Sequence, residues 1–140
     1  FFLIQPDGLP ETMIGHDPEW YLRETVRRWS GSGTQVPERA LAAYVRSFSD
    51  PAAIPAACED YRAAASIDLE HDAADGDRRV ECPLLVLWGE QGAMHRLYDV
   101  LAEWRPMART VSGTALPCGH FVPEECPDLT AAELERFFTA

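Results

Sequence analysis

The chain has 140 residues, with 12 arginines, no lysine and 23 carboxylates, for a formal charge of −11. Its length suits about one domain, and its acidic balance argues against a phosphate-backbone binder, which needs a basic face. Its 46% apolar and 10% aromatic content can fill a globular core; the apolar runs stop far short of the ~20 residues of a membrane span, and no basic-then-apolar signal pattern opens the sequence as given.

Residues 1–16 read as extended or loop, broken by Pro6, Gly8, Pro10 and Gly15. Asp17-Pro18-Glu19 predicts a helix start, with Asp as N-cap and Pro at the first helical position. Leu22, Val26 and Trp29 then share one helix face, and Gly31-Ser32-Gly33 ends the helix. A second helix starts near Pro37 with the stripe Leu41, Tyr44, Val45, Phe48. A third runs from Asp50-Pro51 to about Ala65, with Pro55 early enough to be tolerated. Residues 67–74 suggest a short fourth helix, and the charges of 68–79 a solvated face.

The pattern changes near residue 80. Leu84-Leu85-Val86-Leu87-Trp88, bounded by Pro83 and Gly89, fits a strand buried on both faces of a parallel sheet. Residues 95–104 read as one helix and 109–116 as a second strand. Residues 117–121 read as a loop, and Leu134, Phe137 and Phe138 mark a final helix. The fold class is therefore α/β, with a helical region over 1–80 and an α/β region over 81–140. Two strands with a long crossover normally belong to a larger sheet. Because the chain opens on Phe-Phe-Leu-Ile rather than Met, the expectation is that it begins inside a longer gene product.

Cys58, Cys82, Cys118 and Cys126 show no C-x-x-C spacing, and no histidine pair sits at finger spacing, so no zinc site is expected. Four free thiols in a reducing cytoplasm are the simplest reading. Of the histidines, His16, His71 and His95 read as surface residues. His120 differs, because it follows a strand and a glycine in a short loop, where open α/β sheets bind ligands and where it can act as a general base. Cys118, two residues earlier, reads as a small buried residue, not a nucleophile.

Leu-Leu-Val-Leu-Trp-Gly-Glu at 84–90 followed by Gly-His-Phe at 119–121 resembles the C-terminal part of an α/β-hydrolase. Three longer stretches narrow the resemblance to the fluoroacetate (haloacetate) dehalogenases: Phe-Phe-Leu-Ile-Gln-Pro at 1–6, Cys-Glu-Asp-Tyr-Arg-Ala-Ala-Ala-Ser-Ile-Asp-Leu-Glu-His-Asp at 58–72, and Ala-Leu-Pro-Cys-Gly-His-Phe at 115–121. The resemblance implies a helical cap over 1–80 and the last two strands of the core over 81–140. It implies His120 as the catalytic histidine and Tyr61 as a halide-binding hydroxyl of the cap. The nucleophile, the triad acid and the arginines that hold the substrate carboxylate would lie upstream, outside this chain. Gly92 occupies the position where many α/β-hydrolases carry the triad acid, which fits a subfamily with an earlier acid; Glu90 reads as a surface residue.

The implied reaction is hydrolysis of a small 2-haloacid by the complete protein, as a dimer, without metal or organic cofactor, with a small-molecule substrate and no nucleic-acid or membrane partner. Two other readings remain. An epoxide hydrolase would ask for two cap tyrosines, and only Tyr61 has a motif behind it, while Tyr21, Tyr44 and Tyr98 have none. A non-catalytic helical binding module would make His120 structural.

Overall fold

The structure, a computed structural model, describes residues 2–139. It divides into two compact units. One comprises residues up to Thr25 together with Glu38–Asp77; the other comprises Val26–Pro37 and the chain from Arg78 onward. Residues 26–37, which the sequence groups with the helical region, therefore fall in the unit that holds the strands.

The first unit is helical. It contains α1 (Leu9–His16), most of α2 (Pro18–Trp29), α3 (Glu38–Phe48), α4 (Ala53–Ala64) and α5 (Ile67–Asp75). Helix α1 corrects the loop expected before residue 17. Pro10 stands in its first turn, where a missing N–H costs nothing, and Gly8 at φ +70° supplies the left-handed residue that turns the chain into it. The start of α2 is as expected, with the Trp20 N–H donating to the Asp17 carboxylate at 3.0 Å.

Ile14, Ile54 and Cys58 form the buried centre of this unit, and Leu3, Tyr21 and Phe48 pack against it. The Tyr21 and Phe48 rings stack at 6.2 Å. Polar links hold the rim. The Arg62 guanidinium donates to Glu11 and Glu59 at 2.6 Å each, and to the Gln5 carbonyl at 2.6 Å. Arg62 accordingly holds the Glu11 carboxyl below the usual carboxylate range. Arg23 donates to both oxygens of Glu38, at 3.0 and 2.8 Å, which fixes the start of α3 against α2.

The second unit contains two parallel strands, β1 (Leu84–Gly89) and β2 (Val111–Leu116), in register from Leu84 opposite Val111 to Gly89 opposite Leu116. The crossover is not the single helix expected over 95–104. It is α6 (Ala93–Leu97) and α7 (Val100–Trp104), separated by extended backbone at Tyr98 and Asp99. The break has a local cause, since the Asp99 carboxylate accepts from the Ala102 N–H at 3.1 Å and starts a new helix. A short helix α8 (Val122–Glu125) and the longer α9 (Pro127–Thr139) close the chain.

Leu87 packs on a buried cluster of Leu116, Cys118, Val122 and Cys126. The Thr130 hydroxyl donates to the Cys126 carbonyl at 2.8 Å, joining α9 to the turn before it. Leu84–Trp88 are half-buried, not covered on both faces as the sequence suggests, because among the described residues each strand has one strand neighbour. All four cysteines are free, and Cys82 alone is exposed.

Ile54 is 6% exposed at the centre of the first unit. Ile54→Ala is expected to lower stability by about 2–5 kcal/mol in urea unfolding; a loss of well under ~1 kcal/mol would contradict this core.

Candidate functional site

The site begins where β2 ends. The chain passes through Pro117, Cys118 and Gly119 to His120, then enters α8. The turn after β1 lies against this loop: the Glu90 N–H donates to the Leu116 carbonyl at 2.8 Å, and the Gln91 N–H to the Cys118 carbonyl at 2.9 Å. The approach requires glycine on both sides. A Cβ on Gly89 would stand 1.7 Å from the Gly119 carbonyl oxygen, and one on Gly119 would stand 2.2 Å from the Gly31 nitrogen.

A third segment, 29–34, completes the arrangement. The His120 N–H donates to the Trp29 carbonyl at 2.9 Å, and the Trp29 ring meets the imidazole edge-on at 4.9 Å. Phe121 meets the imidazole from another side at 5.0 Å. The side chain of Gln91 accepts from the Ser32 N–H at 2.7 Å. Glu125 accepts more: its Oε2 takes the N–H groups of Gly31 (2.6 Å) and Gly119 (2.9 Å) and the Thr34 hydroxyl, while Oε1 takes the Phe121 N–H (2.8 Å). Burial pushes the Glu125 carboxyl up, but these donors outweigh it and hold the group below the usual carboxylate range.

His120 is exposed at the rim of a cavity of about 160 Å³ at the carboxyl ends of the strands, lined by Leu87, Trp88, Met94, Val122 and the glycines. The lining is mostly apolar, with the imidazole as its ionisable group. Open α/β sheets place ligands at this end. Gly92 lies in the cavity wall, so no carboxylate reaches it from the position after β1, and Glu90 is exposed. Cys118 is fully buried; burial, with the neighbouring Cys126 thiol, pushes its pKa up to about 12, which makes it inert as a nucleophile at neutral pH. His16, His71 and His95 are exposed; His95 accepts from the Trp88 indole N–H at 3.1 Å. Among the described residues no group of three or more His, Cys, Asp or Glu could hold a metal ion, and no helix is long and apolar enough to cross a membrane.

Tyr61 belongs to α4 of the first unit and is 43% exposed. Tyr21, which has no motif behind it, packs in the same unit against the cluster of Ile14, Ile54 and Cys58. Burial pushes the Tyr21 phenol up, the Thr25 hydroxyl opposes this, and the Tyr61 charge adds to it. Sequence reading did not single out the clamping side chain, Glu125. A glutamate five positions after the loop histidine was its visible trace.

No protein-family model matches the chain. A fluoroacetate dehalogenase from Burkholderia sp. is 39% identical over 99% of this chain and 46% of its own length. A soluble epoxide hydrolase from Corynebacterium sp. is 33% identical over 90% of this chain and 43% of its own length. The chain thus spans about half the length of the curated relatives it matches. A crystal structure described as an α/β-hydrolase, from Nostoc sp. PCC 7120, superposes on 99% of the chain and 48% of its own, with a TM-score of 0.95 and 57% identity. The chain therefore has the fold of part of an α/β-hydrolase. The two strands, the crossover and the His120 loop match a portion of the α/β-hydrolase fold, and the names of the two curated relatives differ in substrate, fluoroacetate in one and an epoxide in the other.

Two outcomes are expected. Gly119→Ala should displace the loop and cost at least ~1–3 kcal/mol, whereas Gly15→Ala, with open space at its Cβ, should be neutral; equal melting temperatures for the two would refute the close backbone approach. The Glu125 carboxyl is depressed in the folded state, so its stabilisation is present above the unfolded carboxyl's pKa of about 4.3 and is lost as pH falls through the lower folded value. The stability gap between the natural chain and Glu125→Gln should therefore narrow on acidification below about pH 5; a gap that widens there would contradict the clamp.

Proposed function

We propose that this chain forms the helical cap and the last two core strands of a hydrolase that removes halide from a small 2-haloacid such as fluoroacetate. The observation that carries the reading is the placement of His120, held over a small apolar cavity at the carboxyl end of a parallel strand. The 39% identity to a fluoroacetate dehalogenase over nearly the whole chain supports the substrate class.

In this mechanism an aspartate outside the chain attacks the α-carbon of the haloacid. The carbon–halogen bond breaks, halide leaves with the electron pair, and an alkyl ester of the enzyme forms. His120 then takes a proton from water. The resulting hydroxide attacks the ester carbonyl, and the bond from that carbon to the alkoxy oxygen breaks. The departing alkoxide takes a proton from the His120 imidazolium and leaves as the 2-hydroxyacid, and the enzyme's carboxyl group loses its proton to solvent to restore the aspartate. Trp29 and Phe121 meet the imidazole edge-on and limit its rotation at the cavity rim. Tyr61 supplies a phenolic O–H that can donate to the departing halide, a contact that strengthens as negative charge develops.

A second reading, an epoxide hydrolase, gains from one specific observation. The unit that carries Tyr61 holds a second tyrosine, Tyr21, which packs on its buried centre, and a pair of hydroxyl donors suits an epoxide oxygen. The identity to a soluble epoxide hydrolase supports it.

The test uses the gene product that carries this sequence. With fluoroacetate, fluoride release is expected. His120→Ala should stop turnover after one equivalent of fluoride, with the ester seen by mass spectrometry, and reduce steady-state rate by about 10²–10⁴-fold. Tyr61→Phe should slow the halide step by about 10–100-fold, the worth of one hydrogen bond to a charged group, while Tyr21→Phe changes it little. Turnover of epoxides but not haloacids, with both tyrosine variants impaired, would replace the first reading by the second.

A further inference from the structure

The backbone around His120 is held in an unusual way. The N–H groups on either side of it, those of Gly119 and Phe121, both donate to one side chain, the carboxylate of Glu125, at 2.9 and 2.8 Å. The N–H of His120 itself donates to the Trp29 carbonyl at 2.9 Å. Three successive amides are therefore fixed from outside the loop. The same carboxylate also takes the Gly31 N–H at 2.6 Å and the Thr34 hydroxyl, on the segment whose Trp29 ring meets the imidazole. The loop and the ring that packs on its histidine are thus referenced to one charged group.

Only an ionised carboxylate can do this. It carries two oxygens with about four lone-pair positions, and no donor hydrogen. A glutamine offers one acceptor oxygen; its NH₂ would face an amide hydrogen, leaving either Phe121 or the Gly31–Gly119 pair without an acceptor. Leaving a part-buried N–H unsatisfied is costly enough to shift the loop. A shift of about an ångström in a catalytic group is enough to cost ~10²-fold in rate.

We infer that Glu125 is a positioning residue for His120, fixing through the Gly119 and Phe121 amides the loop geometry from which the imidazole reaches water. This rests on the reading of His120 as the base of the hydrolytic step. Glu125 touches no substrate; its action passes through the backbone.

The test compares Glu125→Gln with Ile54→Ala, which destabilises the first unit without touching the loop. In the gene product acting on fluoroacetate, Glu125→Gln should lower kcat about 10–100-fold with KM changed less than about threefold, while Ile54→Ala leaves kcat within about twofold. In the same variants, amide hydrogen exchange at Gly119 or Phe121 should rise at least about tenfold with Glu125→Gln and stay unchanged with Ile54→Ala. The His120 imidazole resonances should move in the first variant only. Equal loss of kcat in both variants, or unchanged exchange and imidazole resonances in Glu125→Gln, would overturn the inference. If the natural protein releases no fluoride, the dehalogenase reading fails on that count, and exchange together with the imidazole resonances still decides the role of Glu125.

Discussion

A buried or part-buried backbone N–H must find an acceptor, and around the loop after β2 several such groups come from segments far apart in sequence. Glu125 meets that demand for Gly31, Gly119 and Phe121 together, with Thr34 beside them. Much else in the second unit follows from this. The close approach of Gly89 to Gly119 and of Gly119 to Gly31 leaves no room for side chains, so the usual means of fixing a loop, apolar packing, is unavailable there. Polar attachment to a single anion takes its place. The apolar cluster of Leu116, Cys118, Val122 and Cys126 lies behind the loop and presses α8 to the strand, which carries the carboxylate into reach.

The helical unit solves a different problem. Its apolar centre is small, and the chain's negative charge gives its helices little intrinsic reason to approach. Arg62 and Arg23 answer this by donating to several partners each: the first reaches Glu11, Glu59 and a backbone carbonyl, the second Glu19 and both oxygens of Glu38. A planar guanidinium suits such multiple bonding better than an ammonium, which gives physical sense to a basic complement made only of arginine.

What the sequence made legible follows the range of each signal. Asp17-Pro18, the stripe Leu41–Phe48 and the run Leu84–Trp88 act locally, and the corresponding helices and strand form near the expected limits. His120 was legible because a strand, a glycine and a short loop are adjacent in the chain. The helix over Leu9–His16 was hidden because Pro10 signals a break and a first turn equally well. The crossover break at Asp99 was hidden because Leu97, Tyr98, Leu101 and Trp104 keep helical spacing across it, while the decisive contact is one side-chain cap. Of Glu125 only its place five residues after the loop histidine was visible, and its set of donors was not. That set depends on Gly31 and Thr34, some ninety residues away, and no period or motif carries that information.

The distribution of thiols has a practical consequence. Cys58, Cys118 and Cys126 are buried, Cys82 is exposed two residues before β1, and the chain has no lysine to compete for electrophiles. Within these 140 residues a maleimide or iodoacetamide reagent under native conditions therefore has one favoured side chain, so a fluorophore or spin label on Cys82 would report from beside the sheet. Slow labelling of the three remaining thiols then becomes a clock for local opening of each core, with Cys58 timing the helical unit and Cys118 and Cys126 timing the shelf beneath His120.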